Sequence, residues 1–199
     1  MTTTSKLKLI NDFLSTNDFR FILKLKENLE EQLKQEVAKS NGNIDIYKFI
    51  TGFIKKLDDT KKFRFNGLEE VNGKYYLCDG YRAFEFLEKI EGINITNNGM
   101  TFDKIFDDCK KSAINELDLK IEELKFLCEK QKTIDKKKPI ILEQNDKKYG
   151  FNCEYILQVL KLLKNPKIFI SDNNTAPIYI EGENNINAIV LPCRIHEDD

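Results

Sequence analysis

The sequence predicts an α+β fold in which a helix followed by short strands recurs, βαβββ in flavour, behind an N-terminal helical extension. Three observations predict it. Apolar residues recur at helical spacing over 5–39, from Ile44 to near Asp58-Asp59, and from about Cys153 to Leu163. Two runs of strand character, KKFRFNGLEEV and KYYLCDGYRAFEFL, meet at Asn72-Gly73, the strongest short-range hairpin signal. The last stretch of the chain reads as one helix and then three strands, punctuated by Asp172-Asn173-Asn174 and Gly182-Glu183-Asn184-Asn185. The expected organisation is a helical extension over 1–43, a first part over 44–112 and a C-terminal part over 113–199.

In the extension, Ser15-Thr16-Asn17-Asp18 interrupts the helical pattern and supplies a cap for a longer second helix. That helix carries a stripe of Ile22, Leu25, Leu29, Leu33 and Val37, with Lys24, Lys26, Glu27, Glu30, Glu31 and Lys34 placed for solvent. Such a stripe serves either docking on the chain's own domain or association with a partner. Ser40-Asn41-Gly42-Asn43 ends the helix with turn chemistry. Tyr47, Phe49, Ile50, Phe53, Ile54 and Leu57 define the next helix. After the hairpin come a turn-rich strand region over 93–100, a short helix from Phe102 to Cys109, and a helix of Ile121, Leu124, Leu127 and Cys128 capped by Asp118. A strand at 139–143 follows. The final helix leads to strands around 167–171, 176–180 and 188–194.

A chain of 199 residues with 41% hydrophobic content supplies a real core. Its five cysteines are scattered and odd in number, with no CxxC pair, which argues against a disulfide framework or a zinc site and for a reducing, cytoplasmic setting. No apolar run reaches the length of a membrane span, and the N-terminus lacks a signal-peptide pattern. The formal net charge of −1 excludes a global basic excess, so any nucleic-acid contact must be local. With His196 as the single histidine, near the chain end, material for nucleophilic catalysis is scarce. Asp58-Asp59 and Asp107-Asp108 read as helix-end charge rather than a Mg²⁺ site, and no phosphate-binding glycine loop is present. No enzymatic activity, metal or cofactor is expected.

Within the C-terminal part, Phe151-Asn152, Tyr155-Ile156-Leu157 and Leu160 are followed by Ala176-Pro177-Ile178 and by Leu191-Pro192-Cys193-Arg194-Ile195. This ordered set resembles the closing segment of bacterial DNA sliding clamps, the β subunits of DNA polymerase III. There an FN-x-x-YLL-x-x-L helix precedes an SP-x-x-I strand and a terminal MP-x-RL. Cys78-Asp79-Gly80-Tyr81-Arg82-Ala83-Phe84 is similar to the TDG-[HY]-RLA turn of the first clamp domain. A full bacterial clamp carries three domains, so the resemblance is to a shortened, phage- or plasmid-type clamp-like protein, and the N-terminal helices match nothing in the family pattern.

The resemblance implies the DNA-clamp (processivity) fold, with helices facing duplex DNA and sheets outside, closed into a ring by several copies of the chain. It also implies a non-catalytic processivity factor that tethers polymerase and other replication proteins. Lys48, Lys55, Lys56, Gln158, Lys161 and Lys164 are left over once each helix turns its apolar face to the sheet, and are the candidate DNA contacts; an ordinary solvated face is the alternative. Carried over from the terminal motif, Ile189, Leu191, Pro192, Cys193 and Arg194 are the candidate pocket for short linear motifs of partner proteins, against a reading as core strand alone. A second functional reading keeps the fold without the ring, as a module that regulates replication proteins or a host clamp.

Overall fold

The computed structural model describes residues 8–9, 12, 19–60, 67–97, 99, 101–117, 120–135 and 138–195, without the side chains of 19 and 58–60. The capping cluster at 15–18, the whole KKFRF run at 61–65, Asp118 and His196 lie outside them. The elements run α1 (Phe19–Ser40), α2 (Ile44–Thr60), β1 (Leu68–Val71), β2 (Lys74–Cys78), β3 (Arg82–Phe86), β4 (Ile95–Thr96), α3 (Phe102–Ser112) and β5 (Asn115–Glu116). There follow α4 (Ile121–Asp135), β6 (Ile140–Gln144), β7 (Lys147–Phe151), α5 (Cys153–Leu162), β8 (Lys167–Ile170), β9 (Ile178–Glu181) and β10 (Ile186–Val190).

Turn chemistry sets the punctuation. Gly42 sits at φ +74, with Asn43 N–H donating to the Ala38 carbonyl at 2.8 Å and Gly42 N–H to Lys39 at 3.1 Å. This paired arrangement satisfies the last carbonyls of α1. Asn72 and Gly73, both at positive φ, join β1 to β2, with Val71 opposite Lys74. That left-handed pair matches the strand twist and fixes the register. Asn145 and Asp146 repeat the device between β6 and β7.

Eight strands form one sheet in the order β4-β1-β2-β3-β10-β9-β8-β5. At its centre, β3 pairs with β10 from Arg82↔Val190 to Phe86↔Ile186, so strands from the two parts of the chain share one ladder. Alternation then assigns the faces. Phe84, Phe86, Ile186, Ala188 and Val190 point one way; Glu85, Asn187, Tyr179 and Tyr76 point the other. On the first face α2 lays Phe49 and Phe53 edge-on against Phe84 at 5.0 and 5.6 Å, and α5 packs beside it. On the second face α3 places Phe102 and Phe106 over Tyr76 at 5.6 and 5.5 Å. A single cluster of buried residues runs from Ala38 to Val190. The fold is α+β, as the sequence predicts.

The N-terminal stripe is largely solvent-facing. Among the described side chains of α1 only Ala38 is buried, while of the stripe Ile22, Leu29, Leu33 and Val37 are 38, 39, 61 and 36% exposed and Leu25 is half-buried. The helix is held at its C-terminal half, where Tyr47 donates its hydroxyl to Glu31 at 3.0 Å. No helix among the described residues is long and apolar enough to cross a membrane.

Candidate functional site

The helix face of the sheet is organised around one arginine. Arg82 begins β3 and is 7% exposed. Its Nε donates to Asp79 Oδ2 at 2.9 Å, and its Nη1 donates to Gln158 Oε1 on α5. The guanidinium lies 4.8 Å from the Phe53 ring of α2 and 4.7 Å from the Tyr155 ring of α5. A planar cation with five donors can stack on two rings while using its edge for hydrogen bonds, which a lysine cannot. Asp79 in turn accepts the N–H groups of Tyr81 and Arg82, both at 2.9 Å, closing the turn that aims the side chain. Arg82 thus pins α2, α5 and the start of the central strand β3 to one another.

The outward faces of the two helices follow from this packing. On α2, Tyr47, Ile50, Phe53 and Leu57 are buried, leaving Lys48, Gly52, Lys55 and Lys56 exposed, about one helical turn apart. On α5, Asn152 caps the start by accepting the N–H groups of Glu154 and Tyr155, and Ile156, Leu157, Val159 and Leu160 are buried. Lys161 and, just beyond the helix, Lys164 remain exposed. Gln158 is half-buried and already committed, accepting from Arg82 and donating to Glu154 at 2.9 Å. The five lysines are therefore exposed on the solvent side of the helix layer, whereas Gln158 belongs first to the internal network.

The terminal segment leaves the sheet after Val190 and crosses to the β6–β7 hairpin. Leu191 N–H donates to the Tyr81 carbonyl and Cys193 N–H to the Gly150 carbonyl, both at 2.8 Å. Pro192, Cys193 and Arg194 line a surface groove of about 520 Å³ with Asn174, Thr175 and Ile195. Ile189 does not reach it: its side chain is 3% exposed within β10, on the Tyr179 face. Leu191 is 40% exposed beside Tyr81, which is 52% exposed and stacks on Tyr155 with ring centroids 5.8 Å apart. The CDGYRAF turn and the LPCRI terminus thus meet in space and present an apolar, aromatic patch. Tyr81 was recognisable only as part of a turn motif; its position beside Leu191 depends on the β3–β10 ladder.

The thiols of this region are held protonated. Burial pushes Cys128 up to about 12, and it raises Cys153 and Cys193 as well.

No protein-family model matches the chain, and no curated protein matches it. Among solved structures the fold is similar to the DNA polymerase sliding clamp from Caulobacter crescentus, with a TM-score of 0.50 at 13% identity. The match covers 73% of this chain and 64% of that chain, so it spans less than two thirds of that clamp. The likeness is one of fold.

Proposed function

We propose that this clamp-like chain is a DNA replication protein of the sliding-clamp kind, a non-catalytic processivity factor that holds duplex DNA topologically and tethers polymerase or other replication proteins. The observation that carries the reading is the helix layer: α2 and α5 lie side by side on one face of a continuous sheet and turn Lys48, Lys55, Lys56, Lys161 and Lys164 outward. With net charge near neutrality, such a local basic surface is where phosphate contact is electrostatically favoured. Gln158 is the weakest of the DNA-binding candidates because its amide is engaged by Arg82. The bound partners are duplex DNA and short linear motifs of replication proteins. The motif site joins the terminal groove at Pro192, Cys193 and Arg194 to the Tyr81–Leu191 patch, while Ile189, buried in β10 on the Tyr179 face, does not line it. Ring closure by a cytoplasmic homo-oligomer is part of the same proposal.

The test is retention on nicked circular DNA together with light scattering. A ring is retained on the circle, is lost when the DNA is linearised, and scatters as an oligomer. Each lysine that contacts phosphate is expected to lower the salt slope by about 0.9 when replaced by glutamine. A monomer at all concentrations that is never retained overturns the ring. For the groove, an apolar clamp-binding peptide is expected to bind, about tenfold more weakly after Leu191→Ala; no binding, or no effect of the substitution, removes the peptide site.

The second reading, a non-ring clamp-like module that regulates replication proteins or a host clamp, is favoured by the apolar stripe that α1 leaves exposed. The same scattering experiment separates the two.

A further inference from the structure

The face of the sheet opposite the lysine helices carries a cleft of about 600 Å³, walled by α3 and by the turns before β8 and before β10. Its floor is polar and buried: Glu85 is 3% exposed, Asn187 6% and Tyr179 2%. Glu85 accepts from Lys74 at 2.8 Å, from the Tyr76 hydroxyl at 3.2 Å and from Asn187 at 2.7 Å. This buried carboxylate is therefore fully engaged, and what the cleft offers a ligand is what remains around it.

Two of the lining cations are neutralised internally, Lys74 by Glu85 at 2.8 Å and Lys110 by Glu181 at 3.0 Å. Among the described residues one cation without an ion pair, Lys167, then faces two carboxylates without one, Asp107 and Glu183. The uncommitted charge is net negative. The amides point the same way. Asn165, Asn185 and Asn187 donate their Nδ2 groups to Glu183, Glu88 and Glu85 at 2.7, 2.8 and 2.7 Å. An ionised carboxylate only accepts, so each amide is engaged through its nitrogen, and among the described residues its Oδ1 is left as an acceptor.

Tyr179 adds an independent observation. Its phenol lines the cleft and makes no hydrogen bond among the described residues, although the residue is 98% buried by its 2% exposure. Among those residues no fully buried side-chain oxygen lacks a partner, so this hydroxyl is reached from the cleft. The ring already has a cation above it, Lys110 Nζ at 5.4 Å. Burial first, and then the charges of Glu181 and Glu85, push the phenol's ionisation up.

We propose that this cleft binds an alkylammonium group, carried either by a free polyamine or by a lysine side chain of a partner protein. Asp107 and Glu183 supply the counter-charge, the amide oxygens and the Tyr179 hydroxyl accept the ammonium protons, and the volume lies in the range of small-molecule sites. An anion of the same size would meet the two carboxylates instead.

The test is calorimetric titration of the full chain at low ionic strength with spermidine, Nα-acetyl-lysine amide and inorganic phosphate. Saturable binding of an amine and none of phosphate is expected; binding of spermidine alone assigns a polyamine, comparable binding of the lysine derivative a protein side chain. The exposed pair Asp107→Asn with Glu183→Gln is expected to weaken the amine about tenfold. Tyr179→Phe, which keeps the ring, is expected to weaken it about threefold. No saturable amine binding, binding of phosphate instead, or wild-type affinity in either variant overturns the assignment.

Discussion

Replacing Arg82 by alanine removes a residue that touches α2, α5 and Asp79 of the CDGYRAF turn at once. Its loss breaks the ion pair to Asp79, whose side chain is 12% exposed, and deletes two cation–ring contacts at 4.8 and 4.7 Å. Breaking a buried pair by removing one partner costs about 3–5 kcal/mol, because the other charge is left uncompensated. Asp79 keeps two backbone N–H donors, which lowers the loss; the two ring contacts, at about 0.5–2 kcal/mol each, raise it again. The expected destabilisation is therefore about 3–5 kcal/mol, a fall in Tm of roughly 6–20 °C for a chain of this size. Thermal and urea unfolding followed by circular dichroism measure it directly. Arg82→Lys is expected to recover less than half, since an ammonium cannot stack on two rings and bridge Asp79 to Gln158. A double-mutant cycle with Asp79→Ala should give a coupling of about 1–3 kcal/mol. An Arg82→Ala variant within about 1 kcal/mol of the parent would refute the view that this residue pins the helix layer.

Gly52 sits in the exposed middle of α2, and a Cβ there meets nothing within 4 Å. Gly52→Ala is expected to stabilise the chain by about 0.5–1 kcal/mol, read as a higher urea midpoint at unchanged slope. At Gly150 a Cβ would lie 2.9 Å from Ile195 Cγ1 and 3.1 Å from the Cys193 carbonyl. Gly150→Ala should cost about 1–3 kcal/mol and push the terminal segment outward, seen as faster hydrogen exchange at the Cys193 amide. Tyr47 is raised from 10.0 to about 12 by burial, with the hydrogen bond and charge of Glu31 adding to it. A raised phenol contributes stability that is complete below pH 10 and is lost as pH climbs toward 12, because the unfolded chain ionises first. Alkaline unfolding of Tyr47→Phe should accordingly begin later than that of the parent.

The two hairpin turns show why some of the fold was legible and some was not. Asn72-Gly73 sits between two runs of strand character, and the left-handed conformation of that pair is a local preference, so β1 and β2 could be placed from sequence. Asn145-Asp146 adopts the same geometry, but the KKYGF run after it alternates poorly, and β7 is held by distant groups: Tyr149 donates to the Ser171 carbonyl at 3.0 Å and Lys147 to Asp172 at 2.7 Å. The two-residue strands β4 and β5 depend still more on tertiary context, since each pairs with only one strand of the sheet. The terminal strand around 188–194 begins two residues earlier than its pattern suggests and ends at Val190, where the chain turns to the hairpin.

For the candidate site the division is similar. Which lysines stand outward followed from helical spacing alone, because α2 and α5 each bury one stripe and leave the opposite one. That Gln158 is drawn inward, that Ile189 lies under the sheet surface and that Tyr81 meets Leu191 could not be read from spacing. Each depends on side chains from segments far apart in the chain, as in the Arg82–Gln158 hydrogen bond.

By itself the sequence determined the periodicities, the hairpin at Asn72-Gly73, the helix stop at Gly42 and the outward lysines, because these rest on interactions within a few residues. Only the tertiary structure decided that β3 and β10 meet, that Arg82 binds two helices together, and that a negatively biased cleft opens on the far face. Those outcomes are set by long-range pairing and by which charges end up neutralised, and no local pattern encodes either.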